Sequence, residues 1–548
     1  MVRVKRRIPD RMSIRTRRTI FSLIVFFAIC ALGGMIVSQQ VGAQSASSES
    51  AFRQSLKTFG SVYALVAKNY AEPLTGKMPS EAIYDGAIPE MLHTLDPHSS
   101  FYGPKAFARM QEDQHGKYYG VGMLIQPVGD HVVVVYPIEG SPAFKAGIHP
   151  GDEILTIDGK PAVGLTSTEV ANRLKGAKGT GVTVTMKRVG APKPLVFHLV
   201  RAEIPNRSVD LAFMIQPGIG YIHIRQFQET TGREFDDAMN SFGPNVKGLV
   251  LDLRGNPGGV LVEAVAVCDR LLKRGQVIVS QRGRAYPEQV YRATHGNGGK
   301  DFPIVVLVNH GTASAAEIVT GALQDHDRAL ILGQTTFGKG LVQTVYSLSD
   351  RTGLALTTYH YYTPSGRLIQ RNYNGVSLYD YYYDHDQPKP KNREVRFTDS
   401  GRKVYGGGGI TPDVHYAPPK ATRFEKVVLD MGMFQGFTEQ YLAHRTLTKD
   451  FVVNDAVLKD FKKYLDKQGI QYSPQEFKAN EDWVKTNIKS SLFTTQFGES
   501  AGLKVQAESD PEIAKAEALM PEAAKLEQHV IQVLAEKQAA LEKGPGAN

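Results

Sequence analysis

Three segments of this chain, 248–254 (GLVLDLR), 303–309 (PIVVLVN) and 328–333 (RALILG), are short, almost wholly apolar and closed by turns. A strand that buries one face alternates apolar with polar residues, because successive side chains point to opposite sides. These runs do not alternate, so both faces must be covered, as in a mostly parallel sheet with helices on each side. Helical patterns lie around them at 231–242 (TGREFDDAMNSF), 263–272 (EAVAVCDRLL) and 314–326 (SAAEIVTGALQDH). A strand pattern at 219–227 (IGYIHIRQF) opens the series, and 353–366 (GLALTTYHYYTPSG) reads as a further strand and turn. This order predicts α/β layering over residues 202–418.

The flanks read differently. Residues 45–105 have helical patterns that end at a turn, Leu95-Asp96-Pro97-His98-Ser99-Ser100. Residues 106–201 hold short strands (VGMLIQPV, HVVVVYPI, DEILTIDG, GVTVTMKRV) broken by Gly, Pro and Asp, with one clear helix, TSTEVANRLKG. That is a strand-rich module with one or two helices. Residues 419–548 are helical and charged. Asp510-Pro511 is an N-cap and first-turn pair, and Leu526, Val530, Val533 and Leu534 form an apolar stripe that predicts a packed helix.

The 548 residues carry 64 basic and 55 acidic side chains, a formal charge of +9. Residues 1–18 hold Arg3, Lys5, Arg6, Arg7, Arg11, Arg15, Arg17 and Arg18 against Asp10, a net +7. The remaining 56 basic and 54 acidic side chains leave the body at +2, which argues against nucleic acid as a partner. The uncharged run Ile20–Val37 follows at once. As a helix it spans about 27 Å, so residues 1–44 read as a basic n-region with a signal peptide or a retained membrane anchor. The balance favours the anchor, because the run is long for a cleaved signal, although Val41 and Ala43 supply small residues for a cleavage site. Basic flanks stay cytoplasmic, so the body is expected on the extracytoplasmic side, periplasmic or at the cell surface. Cys30 and Cys268 give neither a disulfide framework nor a CxxC metal site, and no cofactor or metal is expected.

Chemistry concentrates at three turns. Ser314 follows a buried strand and a Gly-containing turn, and it opens a helix. Such a serine is exposed at the carboxyl edge of the sheet, where backbone N–H groups and the positive helix end can stabilise an oxyanion. Gly333–Gly340 (GQTTFGKG) nearly matches a phosphate loop, but its last position lacks a hydroxyl and the following LVQTVYSL reads as a strand, which excludes nucleotide binding. Lys339 there can instead act as a general base if its pKa falls by roughly three units, about 4 kcal/mol of preference for the neutral form. Gln343, four residues on, can orient the lysine amine without adding charge, but in a regular strand it would lie about 13 Å away along the axis. The third turn, Asp252-Leu253-Arg254-Gly255-Asn256-Pro257-Gly258-Gly259, offers N–H groups to a ligand.

Together GYIHIRQF, DLRGNPGG, NHGTASAAEI, GQTTFGKGLVQ, YYTPSGRLIQ and GITPDV resemble the carboxyl-terminal processing peptidases, or tail-specific proteases, over about residues 50–416. The resemblance implies a multidomain α/β fold: a protease core at 202–418, an inserted PDZ domain at 106–201, and helical regions on both sides. It implies Ser314 as nucleophile, Lys339 as general base and Gln343 as the orienting residue, with backbone amides of Gly258, Gly259 and Ala315 as the oxyanion hole. It makes Tyr119-Gly120-Val121-Gly122-Met123 the loop that holds a substrate's C-terminal carboxylate, with protein or peptide tails as partners. Relatives carry a PDZ arginine in an LRG element that helps align the catalytic side chains. Here the run is Leu174-Lys175-Gly176, which keeps the charge but loses the planar fork; Arg173 is adjacent. A homodimer through the helical tail is a further expectation. The rivals are a Ser/His/Asp hydrolase using Asp252, His310 and Ser314, and a catalytically inactive membrane-tethered PDZ scaffold.

Overall fold

The computed structural model describes residues 49–70, 82–384, 393–443 and 445–542. The basic block and the apolar run Ile20–Val37 lie outside the described residues, and no described helix is long and apolar enough to cross a membrane. The chain forms two compact units, residues 1–88 and 89–548. The first contains a helix over 49–69, on which Phe52, Leu56, Phe59, Val62, Leu65 and Val66 recur at helical spacing and are exposed.

At the centre of the second unit is a six-stranded sheet. Its order is Val209–Gln216, Ile219–Ile224, Gly248–Asp252, Ile304–Val308, Leu330–Gly333, Val414–His415. The first pair is antiparallel and every later pair parallel. The apolar runs divide by alternation. Leu249, Leu251, Ile304, Val306, Val308 and Ile331 face one core with the helices Thr231–Ser241, Leu261–Asp269 and Ala315–Asp325. Val250, Val305, Leu307, Leu330 and Leu332 face another. That second face is closed by the chain's far end: Ala507, Ile513, Ala516, Leu519, Met520 and Ala523, from the helices Glu499–Glu508, Pro511–Ala518 and Met520–Glu542.

The C-terminal helices therefore serve two cores. Arg423–Asp430, Met433–Leu442, Asp455–Lys467, Pro474–Ala479 and Glu481–Phe497 gather their own aromatic core, in which Phe434 stacks on Phe461 at 5.3 Å and Phe437 meets Phe461 edge-on at 5.1 Å. The later helices belong to the sheet. The stripe read from the sequence packs there through Leu526; Val530 is buried and Leu534 is exposed.

Beside the central sheet lies an antiparallel one, ordered Ser100–Tyr102, Gly353–Tyr362, Val277–Arg282, Gln289–Arg292, with Leu341–Ser347 also on Gly353–Tyr362. Its first strand falls where the sequence pattern was helical, because Ser100, Phe101 and Tyr102 find partners in Ala355, Leu354 and Gly353, 251 or more residues along the chain. The strand-rich module forms a third sheet: Met123–Val128, His131–Pro137, Glu153–Ile157, Gly181–Lys187 and Leu195–Val200, with Lys160–Pro161 on Glu153–Ile157. Helix Ser167–Leu174 covers it through Val170 and Leu174. Met123–Val128 is an edge strand, and the pair Lys117–Gly120 with Ala202–Pro205 joins the module to the rest.

Ile513 is almost fully buried against the sheet. Ile513→Ala should destabilise the whole second unit by about 2–5 kcal/mol, seen by calorimetry as a lower midpoint of the transition that includes the central sheet. An unchanged midpoint would mean that the C-terminal helices fold apart from it.

Candidate active site

The strand Ile304–Val308 ends at Asn309, whose side-chain oxygen accepts the N–H groups of Gly255 (2.8 Å) and Gly311 (3.0 Å). Thr312 donates its hydroxyl to Leu253 O (2.8 Å), and the Ala313 N–H reaches Asn256 O (2.9 Å). The Ser314 turn and the DLRGNPGG turn are thereby one structure. Ser314 itself has φ 53° and ψ −115° at the N-terminus of helix Ala315–Asp325. A non-glycine residue held there stores about 1–3 kcal/mol, and the surrounding hydrogen bonds keep it in place. It remains partly exposed while its neighbours Ala313 and Ala315 are buried.

Gly258 and Gly259 (φ 97° and 136°) pass directly beside it. A methyl group on Gly258 would lie 2.7 Å from Ser314 Cβ and 2.8 Å from the Ala315 nitrogen. On Gly259 it would strike Phe227 O at 2.0 Å. The Gly258 N–H, expected to face an oxyanion, donates instead to Asn256 Oδ1 (2.8 Å), because that side chain closes the turn from within. Ala315 is the first helical residue, so its N–H has no acceptor within the helix.

One carboxylate that the sequence reading passed over organises the site. Glu317 is fully buried. Its Oε2 accepts the backbone N–H groups of Ser314 (2.9 Å) and Lys339 (2.8 Å). Its Oε1 accepts the Gly338 N–H (2.7 Å) and the Thr336 hydroxyl (2.5 Å). Burial raises its pKa to about 7, and the hydrogen bonds oppose that rise. The signal was present as Ser-x-x-Glu, the pattern of a capping box. Tyr361, also buried, donates to Ser314 O (3.2 Å).

Lys339 lies in the irregular loop between Leu330–Gly333 and Leu341–Ser347. Burial lowers its pKa, against the raising effect of Asp96 and Glu317. Gln343 pairs with Thr357 just after a break in strand register between Val342 and Gln343. Its Nε2 donates to Thr357 Oγ1 (3.0 Å), which leaves its oxygen as an acceptor. Asp252 is engaged elsewhere, by the Tyr221 hydroxyl (2.8 Å) and by Arg254 (2.6 Å). Arg254 also pairs with Asp510 (2.8 Å) and Glu512 (2.9 Å), so the C-terminal region clamps the turn that carries Gly258 and Gly259.

In the strand-rich module, Val121 O accepts from Ala143 N (2.9 Å), and Gly122 O from Ile138 N (3.0 Å) and Ser141 Oγ (2.8 Å). Because the peptide unit is planar and trans, the N–H groups of Gly122 and Met123 point the opposite way, out of the module core. Tyr119 and Gly120 end the strand before this loop, and Met123 begins the edge strand. Lys175 pairs with Glu112 (2.5 Å) and sits over the Tyr118 ring (4.8 Å), while Arg173 donates to Pro161 O (3.0 Å). Lys175 thus engages the helix Pro104–His115.

The chain matches peptidase family S41 over residues 218–377 and the PDZ domain over residues 114–196; residues 435–498 match a family of unknown function. It is 37% identical over 361 residues to the carboxy-terminal-processing protease of Bartonella bacilliformis, covering 65% of this chain and 80% of that one. With the carboxyl-terminal-processing protease of Synechocystis it shares 39% identity over 292 residues, 52% of this chain and 68% of the other. The solved photosystem II D1 C-terminal processing protease aligns at 30% identity over 66% of this chain and 92% of that one, with a TM-score of 0.33.

Glu317→Gln keeps the shape of the side chain but replaces one acceptor oxygen with a donor. It should slow covalent labelling of Ser314 by a fluorophosphonate about 100-fold, the usual result of ångström-scale misplacement of reacting groups. Wild-type labelling rates in a folded variant would remove Glu317 from the site's organisation.

Proposed function

The chain belongs to the carboxyl-terminal-processing peptidases of family S41, and we propose that it is an extracytoplasmic endopeptidase that takes substrate tails through its PDZ domain and cleaves them with Ser314 and Lys339. The observation that carries the reading is Glu317, whose single carboxylate binds the backbones of both residues. Two residues held by one buried group keep a common geometry, which is what a nucleophile and its base require.

In the proposed mechanism, Ser314 Oγ attacks the scissile carbonyl and its proton passes to Lys339 Nζ. The Ala315 N–H, with that of Gly259, faces the developing oxyanion; removing one such donor typically costs about 10²–10³ in kcat. Lys339 then returns the proton to the leaving amine, and water releases the acyl-enzyme. Gln343 accepts from the lysine through its free oxygen. The lysine must be neutral to act, and burial lowers its pKa. The acid limb of kcat/KM should therefore lie below the ordinary lysine value of about 10.4, with activity rising as pH passes through the folded pKa.

At the PDZ domain, the outward N–H groups of Gly122 and Met123 suit a terminal carboxylate, and the open edge of Met123–Val128 suits an added strand. Lys175 is proposed to act on the active site through Glu112 and helix Pro104–His115, whose Phe107 packs against Gly353 of the antiparallel sheet. The extracytoplasmic location rests on the basic block and apolar run of residues 1–37.

Unfolded casein distinguishes the readings. Wild type should cut it, while Ser314→Ala and Lys339→Ala should each fall by about 10³-fold or more. Activity retained by Lys339→Ala would point to His310 as the base, and absence of cleavage by wild type to an inactive scaffold. Amidating the C-terminus of a peptide substrate should raise KM; an unchanged value would exclude carboxylate recognition by the loop.

A further inference from the structure

The turn at Asp96–Ser99, which the proposed chemistry leaves unused, is largely buried, and Asp96 and His98 lie near enough to Lys339 for their charges to act on each other. Asp96 is 6% exposed and Ser99 fully buried. Asp96 Oδ1 accepts the N–H groups of His98 and Ser99 (both 2.8 Å), and Oδ2 accepts the Ser99 hydroxyl (2.7 Å). Ser99 Oγ in turn accepts the Thr357 N–H (3.1 Å), and Thr357 Oγ1 accepts from Gln343 Nε2 (3.0 Å). Each donor in this relay points towards Asp96, and its far end is the amide of Gln343.

A second relay leaves the same turn. His98 Nε2 meets Tyr381 OH (2.9 Å), which accepts from Gln370 Nε2 (3.0 Å); Gln370 Oε1 accepts the Gly340 N–H (2.7 Å). His98 Nε2 and the Tyr381 hydroxyl share one proton, in the direction that the imidazole tautomer sets. Burial, with Lys339 and Arg371 nearby, pushes the imidazole pKa down to about 3, so the ring is neutral. Phe337 and Tyr382 pack edge-on to the His98 ring at 6.4 and 6.1 Å, and Tyr382 donates to Pro97 O (2.8 Å), which fixes the turn from outside.

We propose that Asp96–Ser99 is a positioning element of the active site, whose two relays fix Gly340, next to Lys339, and Gln343, and whose Asp96 carboxylate faces the lysine. This rests on the reading of Lys339 as general base. The charged and titratable groups that act on Lys339 are Asp96 and His98 from the turn and Glu317 from helix Ala315–Asp325; Arg371 acts in turn on His98, and Tyr381 is hydrogen-bonded to it. Asp96 and Glu317 favour the charged lysine.

Steady-state kinetics on a peptide substrate across pH tests this, with the thermal midpoint of each variant recorded. Ser99→Ala should lower kcat about tenfold or more with little change in KM, because the relay orients the base and not the substrate. Ser99→Thr, which keeps the hydroxyl, should restore most of it. Thr357→Val should lower kcat similarly, and the double variant should be no worse than either single one, as expected for one relay. Asp96→Asn should move the acid limb of kcat/KM to lower pH by about one unit, because losing the carboxylate favours neutral lysine. Additive losses, or a wild-type profile in Asp96→Asn, would overturn the proposal. Lys339→Ala run alongside separates the two failures, since activity retained there defeats the lysine base itself.

Discussion

Glu317 sits where a carboxylate is costly. It has no contact with solvent, and burial raises its pKa to about 7. Four donors offset that cost, and they come from the two segments that must meet: Ser314 on one side, Thr336, Gly338 and Lys339 on the other. A buried group without partners would cost several kcal/mol, so the loop holding Lys339 cannot leave the helix holding Ser314 cheaply. The same negative charge works against the proposed role of Lys339 as a base, because it favours the charged lysine. Burial of Lys339 prevails, and its pKa stays lowered.

The sheet edge that carries Ser314 also depends on distant chain. Arg254 lies within the DLRGNPGG turn, yet two of its three acidic partners, Asp510 and Glu512, come from the start of a C-terminal helix. That helix covers one face of the central sheet through Ile513 and Ala516. Closing the core and holding the turn are thus a single packing event. Glu512 has its pKa raised to about 7 by burial, against the Arg254 charge. The strand-rich module joins this assembly through another charge pair, Lys175 with Glu112. An ammonium there makes one short contact and lies over Tyr118, where a guanidinium could have made a planar fork.

Much of this was legible in the chain. Apolar runs without alternation required a sheet covered on both faces, and the strands Gly248–Asp252, Ile304–Val308 and Leu330–Gly333 are those runs. Ser314 was visible as the residue between a buried strand and a helix, and Asp510-Pro511 as a helix start, with Asp510 accepting from the Glu512 N–H. Glu317 was written in the Ser-x-x-Glu spacing but read only as helix. The strand Ser100–Tyr102 was hidden, because a three-residue strand has no period of its own and exists through its partner. The expected amide of Gly258 was misjudged because the chain does not say that Asn256 folds back to take it.

The sequence by itself determined the α/β core, the strand-rich module and the three turns bearing serine, lysine and glycines, since these follow from periodicity and from residues whose backbone or side chain allows little else. Only the tertiary structure decided how the turns meet. Hydrogen bonds between residues 22, 59 or more than 250 positions apart, such as Glu317 to Lys339, Thr312 to Leu253 and Ser99 to Thr357, leave no periodic trace. Neither does the choice of which core a C-terminal helix joins, because an apolar stripe specifies that a face must be buried and not what covers it.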